Sequence, residues 1–291
     1  MFCKLLLHRL GISKLNQSQT MYSPADAVLS FPPFVAVEGV INIRSIGGYK
    51  SDASLNRVVR PAIVFRSGEV SRITEAGKEQ LRALGVRRVF DLRTNFEAEV
   101  YDAAAPVIPG IEVVRAPMGV EGGWDVEIID KRLKHFRENE LQAFVQDARD
   151  TLDADGPAIE TVFRHFIDRP DEPCLFHCTA GKDRTGLVAA LILLLLRVDD
   201  ADIARDYALT TVGLDPARPM LAARLQKVPV FQNNWEGAVN MGSSKEETMM
   251  VILAMIREEY GGAAGYLTAR TGLREEDLEV VRKNLTVAKE K

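Results

Sequence analysis

Short apolar runs alternate with helical stretches through the first part of the chain. Ala62 to Phe65, following Pro61, reads as a strand. Thr74 to Leu84 has helical spacing, with Thr74 placed to cap its start and Gly85 to stop it. Arg88 to Leu92 and Ile111 to Val114 are further strand candidates. Residues 119–155 are polar and hold a helical stretch from about Val126 to Leu152; Ala158 to Ile167 reads as the next helix. Cys174 to His177 is again a strand, and beyond it the pattern is helical almost to the end. Leu187 to Leu196 is apolar on every side, the mark of a helix buried in a core. Asp202 to Leu209, Ala217 to Leu225, Glu246 to Glu259, Ala263 to Ala269 and Glu275 to Leu285 follow, punctuated by Gly213, Pro216, Pro229, Gly242 and Gly272. Strands among helices early and helices alone later predict an α/β sheet with a helical C-terminal region. No repeat, low-complexity segment or Gly/Ser linker divides the chain, so residues 31–291 are expected to form a single domain.

The first 30 residues have a different character. Lys4, Arg9 and Lys14 precede the first acid, Asp26, and the apolar residues Phe2, Leu5, Leu6, Leu7, Leu10 and Ile12 keep to no single face. A disordered leader is the ordinary state of such a terminus; a mitochondrial targeting segment is the alternative, being basic and acid-poor. A secretory signal is disfavoured, because His8 and Arg9 break the run Leu5–Leu7 at once. Leu187 to Leu196 is too short to span a bilayer, which takes roughly 20 residues. The chain therefore has no expected integral membrane segment.

Composition narrows the classes further. Hydrophobic residues make up 46% of the 291 positions and charged residues 27%, which permits a packed core throughout. A net charge of -4 argues against a nucleic-acid partner, which calls for a basic excess. The cysteines are Cys3, Cys174 and Cys178, an odd and sparse set that makes no disulfide framework. On one strand Cys174 and Cys178 would lie roughly 13 Å apart, too far to pair. A reducing, cytoplasmic setting follows from that usage.

The chemistry gathers in His177-Cys178-Thr179-Ala180-Gly181-Lys182-Asp183-Arg184-Thr185-Gly186, entered by a strand and left by a buried helix. Cys178 stands just before that helix, where the positive end of its dipole favours a thiolate. The backbone amides of Thr179, Ala180, Gly181 and Lys182 can hold the oxygens of an anion, as in other anion nests. Arg184 closes the loop that Cys178 opens, and its planar fork matches two phosphate oxygens. Gly181 frees the backbone for a tight turn, and the Thr185 hydroxyl can donate to the departing sulfur. Nucleophilic hydrolysis of a phosphoester through a cysteine fits all of these, with no metal and no cofactor. Lys182 adds positive charge at the rim that favours doubly phosphorylated or inositol-type groups, or is simply a solvated loop residue.

Rival readings of the same letters fit less well. A nucleotide-binding loop requires glycine where Phe176 stands and Ser or Thr where Asp183 stands. A zinc site from Cys174, His177 and Cys178 lacks a fourth ligand, and strand alternation turns His177 away from both thiols. A catalytically inactive phosphate-binding module normally loses the cysteine or the arginine, and both are kept here. Sulfur transfer or oxyanion reduction calls for neither Lys182–Asp183 nor Thr185.

With Lys182 and Asp183 inside it, the loop resembles that of the tyrosine-phosphatase-like family of cysteine phosphatases, which includes bacterial lipid-and-protein phosphatases and many fungal proteins. Asn42-Ile43-Arg44-Ser45-Ile46-Gly47-Gly48-Tyr49, Phe65-Arg66-Ser67-Gly68 and Asp91-Leu92-Arg93 are similar to its early motifs in order and spacing. Asp206-Tyr207 and the stretch from Tyr266-Leu267 to Leu285 fit its later part. Ser45 departs from the pattern, which more often has an acid there. The resemblance covers roughly residues 38 to 286 and implies a cysteine-phosphatase-like central sheet flanked by helices. It implies Asp183 as general acid, the alternative being an ion pair of Asp183 with Lys182 or Arg184; Asp91, at the end of a strand, and Asp125, beside Trp124, compete for the role by position. It also implies phosphotyrosine or phosphoserine/threonine proteins and phosphoinositides as substrates. Residues 119–155 are expected either to form a helical lid, hinged at Gly122 and Gly123 and covering with Trp124, Ile128, Ile129, Leu133 and Phe136, or to pack as an ordinary amphipathic helix. Asp91 and Arg93 read first as a plain structural salt bridge, with support of the phosphate loop from behind as the alternative.

Overall fold

The structure is a computed structural model that describes residues 28–51, 56–100, 103–119 and 125–289. Residues 1–27 of the expected leader, the hinge positions Gly122 and Gly123, and the covering residue Trp124 lie outside the described residues.

Strands β1 (Arg44–Ser45), β2 (Lys50–Ser51), β3 (Arg57–Val59) and β4 (Val64–Ser67) open the fold, followed by helix α1 (Glu75–Ala83). Next come β5 (Arg88–Asp91), α2 (Asn95–Val100) and β6 (Glu112–Arg115). Helices α3 (Val126–Glu138), α4 (Glu140–Ala154) and α5 (Gly156–Asp168) lead to β7 (Cys174–His177) and α6 (Asp183–Leu195). The remainder is α7 (Asp200–Ala208), α8 (Thr210–Gly213), α9 (Arg218–Leu225), α10 (Pro229–Asn233), α11 (Trp235–Met241), α12 (Glu246–Tyr260), α13 (Gly262–Arg270), α14 (Glu275–Asn284) and β8 (Thr286–Ala288).

The central sheet has the order β1-β4-β7-β5-β6, parallel from β4 to β6 with β1 antiparallel at one edge. A smaller antiparallel sheet, β2-β3-β8, brings the last strand back beside the early part of the chain. Alternation along β7 decides what each face of the central sheet buries. Cys174, Phe176 and Cys178 enter the larger core with Val64, Phe90, α5 and α6; Leu175 enters the smaller one with Phe65, Val89 and Leu81 of α1. Among the described residues no helix is long and apolar enough to cross a membrane.

Several elements stand where the sequence put them, and the departures have local causes. Thr74 caps α1 by accepting from Gly77 N, and Gly85 ends the turn at φ +80°. The β4 strand begins two residues later than its apolar run, because Ala62 has a left-handed φ of +55°, and it runs on through the polar pair Arg66–Ser67. The helical stretch from Val126 is two helices. Asn139 breaks it with extended φ, and its side chain caps α4 by accepting from Gln142 N at 3.2 Å. Ile129 and Leu133 of α3 are buried against Val230, Phe231 and Ala238 of α10 and α11, whereas Ile128 is exposed. Phe136 stacks edge-on against Phe144 of α4 at 4.8 Å. The apolar face of α3 thus has helical partners of its own.

Candidate active site

Parallel strands in register end in one row. Ser67 lies opposite His177, His177 opposite Asp91, and Asp91 opposite Arg115. The loops that leave this row converge, as is usual at the carboxyl ends of an open α/β sheet. Cys178 follows β7 directly and is 3% exposed, and α6 begins five residues later with Asp183.

The loop between them is held inside out. Thr179 O accepts from Glu69 N at 3.0 Å, Ala180 O from Asn42 Nδ2 at 3.1 Å, and Gly181 O from Asn42 Nδ2 at 3.2 Å and Arg66 Nη2 at 3.0 Å. With those carbonyls tied outwards, the N–H groups of Thr179, Ala180, Gly181 and Lys182 find no acceptor among the described residues. Uncompensated amides on a tight loop form an anion nest. Gly181 makes the turn possible: its φ is +70°, and a Cβ there would lie 2.3 Å from Ser67 O. His177 is buried, and its Nδ1 bonds Cys178 O at 3.1 Å. Burial pushes its pKa down, and because a carbonyl oxygen can only accept, Nδ1–H is the donor.

Behind the loop stands a buried ionic cluster. Asp206 of α7 accepts from Arg44 Nε at 3.2 Å and Arg66 Nη1 at 2.5 Å. Arg44 also reaches Asn42 Oδ1 at 2.5 Å and Thr210 Oγ1 at 3.1 Å. Burial lowers the Arg44 pKa to about 10, helped by Arg66 and opposed by Asp206. Burial alone would raise Asp206, but the two guanidinium groups hold its carboxyl below the ordinary carboxylate range. The early motifs around Asn42–Arg44 and Arg66, and the later Asp206–Tyr207, therefore meet at one place. Tyr207 packs on Gly186, where a Cβ would come within 3.1 Å of its ring. Ser45, the position that departs from the family pattern, accepts from Gly47 N at 3.1 Å.

Arg184 is docked by a residue that the sequence reading missed. Glu97 of α2 takes Arg184 Nη1 on Oε2 at 2.5 Å and Nη2 on Oε1 at 2.6 Å, and also accepts from Thr179 Oγ1 at 2.9 Å. Met118 O takes Arg184 Nη1 at 3.1 Å. Burial works against the charge on Arg184, but Glu97, Cys178 and Asp183 raise its pKa above the ordinary arginine value. Burial likewise opposes ionisation of Glu97, yet the bonds from Arg184 bring its pKa down to about 2. A signal for Glu97 was present. Thr94-x-x-Glu97 is a capping-box pattern, and both halves form: Thr94 N to Glu97 Oε2 at 3.0 Å and Glu97 N to Thr94 Oγ1 at 3.2 Å.

The other candidates divide by geometry. The Thr185 hydroxyl is fully buried with no partner among the described residues. Asp183 is exposed at the first turn of α6, and its Oδ1 receives Lys182 Nζ at 2.5 Å. Lys182 is turned inwards rather than to the rim. It is 4% exposed, donates to Met241 O at 2.8 Å, and has its ammonium 4.6 Å from the centre of the Phe144 ring. Asp91 is buried and accepts from Arg93 N and Nε, Arg93 Nη2 and Arg115 Nη1. Burial resists its charge, but Arg93 and His177 hold it well below the ordinary range. Arg93 also reaches Glu69, whose N–H supports Thr179 O, so this pair does stand behind the loop. Asp125 is the exposed N-cap of α3, accepting from Glu127 N at 2.8 Å.

The family model for the tyrosine phosphatase family matches residues 35–287, which includes every group just described. The chain belongs to that family. It is similar to a tyrosine-protein phosphatase of Nostoc commune, 31% identical over 77% of this chain and 75% of the relative. It is also similar to the triple specificity protein phosphatase PtpB of Mycobacterium tuberculosis, 27% identical over 75% of this chain and 89% of the relative. A solved structure of TpbA from P. aeruginosa is 15% identical over 70% of this chain and 94% of its own, with a TM-score of 0.28. As a member of the tyrosine phosphatase family, the protein has its Cys178–Arg184 loop where the parallel strands end.

Proposed function

We propose that the protein hydrolyses phosphoesters through a covalent phosphocysteine on Cys178. The observation that carries this reading is the loop itself: outward carbonyls, amides without an acceptor among the described residues, a cysteine at its start and an arginine docked at its end. The Cys178 thiolate attacks phosphorus while the phosphorus–oxygen bond to the leaving group breaks. The amides of Thr179, Ala180, Gly181 and Lys182 and the Arg184 guanidinium hold the equatorial oxygens. Their worth is greatest as charge spreads over those oxygens in the transition state. Asp183 gives its proton to the leaving oxygen. It then takes a proton from water as that water attacks phosphorus and the phosphorus–sulfur bond breaks. The Thr185 hydroxyl, buried and without a partner among the described residues, donates to the departing sulfur.

Of the three carboxylates weighed for proton transfer, Asp183 is the one that is exposed beside the loop. Asp91 is buried under two arginines, and Asp125 is taken up in capping α3. The substrate classes are phosphotyrosine and phosphoserine/threonine proteins, together with phosphoinositides. A relative described as having triple specificity supports that breadth. Lys182 contributes through its field, its ammonium being held by Met241 O, Asp183 and Phe144.

Rapid quenching of turnover with p-nitrophenyl phosphate tests the mechanism. A phosphorus–sulfur adduct on Cys178 is expected, absent in Cys178→Ser; turnover without the adduct refutes it. Asp183→Asn should slow alkyl phosphates far more than p-nitrophenyl phosphate, whose leaving group needs little protonation. An equal loss on both would remove Asp183 from the acid role.

A further inference from the structure

The peptide that joins Met118 to Gly119 is gripped at both ends. Its carbonyl, Met118 O, accepts from Arg184 Nη1 at 3.1 Å, and its N–H, on Gly119, donates to Asp155 Oδ2 at 2.8 Å. A trans peptide is planar, with its C=O and N–H pointing in opposite directions. Two hydrogen bonds on opposite edges therefore fix how the plane is turned. Gly119 has a φ of +102°, a backbone conformation that side-chain-bearing residues rarely adopt, so glycine is what permits that orientation. Just before it, Ala116 N to Asp91 O and Met118 N to Leu92 O extend the ladder of β5 to this point.

Asp155 is placed for this contact at some expense to its own helix. It sits at the N-cap position of α5, where an aspartate ordinarily accepts from its helix's first amides, yet it makes no side-chain cap bond. Its carboxylate is turned to Gly119 instead, and the residue is buried. The corner that carries it is firmly seated. Gly156 lies so close to α13 that a Cβ there would come within 1.9 Å of Arg270 O, and Tyr266 OH holds Leu152 O at 2.8 Å.

We infer that Asp155 is a positioning residue for the phosphate clamp, acting on Arg184 through the Met118–Gly119 peptide. The inference rests on the phosphatase reading above. A carboxylate that accepts from an amide N–H draws electron density towards the carbonyl of that same amide. That carbonyl becomes a better acceptor for a cation, as happens along any hydrogen-bonded chain. Glu97 meets both terminal nitrogens of Arg184, and Met118 O meets Nη1 from a different strand connection. Glu97 supplies the counter-charge, and the Asp155-held peptide fixes the angle of the fork.

The experiment measures kcat and KM for p-nitrophenyl phosphate, and inhibition by inorganic phosphate, in the enzyme and five variants: Asp155→Ala, Asp155→Asn, Gly119→Ala, Arg184→Lys and the double variant Arg184→Lys with Asp155→Ala. Asp155→Ala should lower kcat/KM about tenfold, the scale of one hydrogen bond to a charged group, and weaken inhibition by phosphate in parallel. Asp155→Asn keeps an acceptor oxygen and should recover most of that loss. In an Arg184→Lys background, Asp155→Ala should add less than about twofold, because two residues acting as a unit are not additive. Gly119→Ala turns the same peptide with the carboxylate intact and should match Asp155→Ala; it carries the test if Asp155→Ala fails to fold. Unchanged kcat/KM and phosphate inhibition in both would overturn the inference. So would full additivity with Arg184→Lys, or an Asp155→Asn as impaired as Asp155→Ala, which would mean that an acceptor at this position does not hold the peptide. No turnover in the wild type would overturn the phosphatase reading itself.

Discussion

Replacing Glu97 by glutamine tests whether the clamp is held by its counter-charge. In the folded protein Glu97 has a pKa of about 2 against an ordinary 4.5, a gap worth about 3 kcal/mol at 1.4 kcal/mol per tenfold. Glu97 is largely buried with Arg184, so little of this is lost to solvent screening. Breaking a buried pair from one side leaves an uncompensated charge, which typically costs about 3–5 kcal/mol, a range consistent with that gap. The glutamine also points an NH2 group at a guanidinium that needs two acceptors. Urea unfolding should show Glu97→Gln less stable by about 3 kcal/mol at pH 7. The folded pKa is depressed, so the contribution is complete above the unfolded value near 4.5 and is lost as pH falls towards 2. The difference between wild type and variant should therefore be flat above about pH 6 and shrink below about pH 5. Activity should fall by about 100-fold in kcat, the usual consequence of displacing a transition-state contact by an ångström. An unfolding difference independent of pH between 6 and 3, or a kcat within about twofold of wild type, would refute the assignment of Glu97 as the holder of Arg184.

Three further outcomes follow from the same geometry. Gly181→Ala, with a Cβ forced 2.3 Å from Ser67 O at φ +70°, should abolish turnover and phosphate inhibition together; retained activity would mean the loop relaxes freely. Asp206→Ala leaves Arg44 and Arg66 buried without their shared carboxylate, and should cost about 3–5 kcal/mol in chemical unfolding. Lys182→Met removes the ammonium over Phe144 and its bond to Met241 O but keeps an apolar stem, so a fall in thermal midpoint should accompany any change in substrate preference. A preference shift with unaltered stability would place Lys182 in contact with substrate instead.

Much of this protein is local in origin and was therefore legible in its residues. The strand Cys174–His177, the loop to Arg184 and the apolar helix after it form one continuous segment, and their hydrophobic pattern and spacing announce them. The capped helix Glu75–Ala83 is likewise complete in its own stretch, from Thr74 to Gly85. Boundaries moved where a single residue overrode the pattern: Ala62 with positive φ, and Asn139 capping one helix while ending another. The two-residue strands β1 and β2 carry too few positions for a period to show.

What tertiary structure alone decided is which distant side chains share the loop. Asn42, Arg66, Glu69 and Glu97 lie 82 to 139 residues before their partners in the loop, and nothing in their neighbours' periodicity names those partners. Parallel strands in register do so, by ending their row at one edge and turning four separate connections towards the same point. The inward turn of Lys182 has the same origin, since Phe144 and Met241 come from helices far along the chain. The local sequence sets Cys178 and Arg184 at the two ends of one loop; the packing of the sheet chose what holds them still.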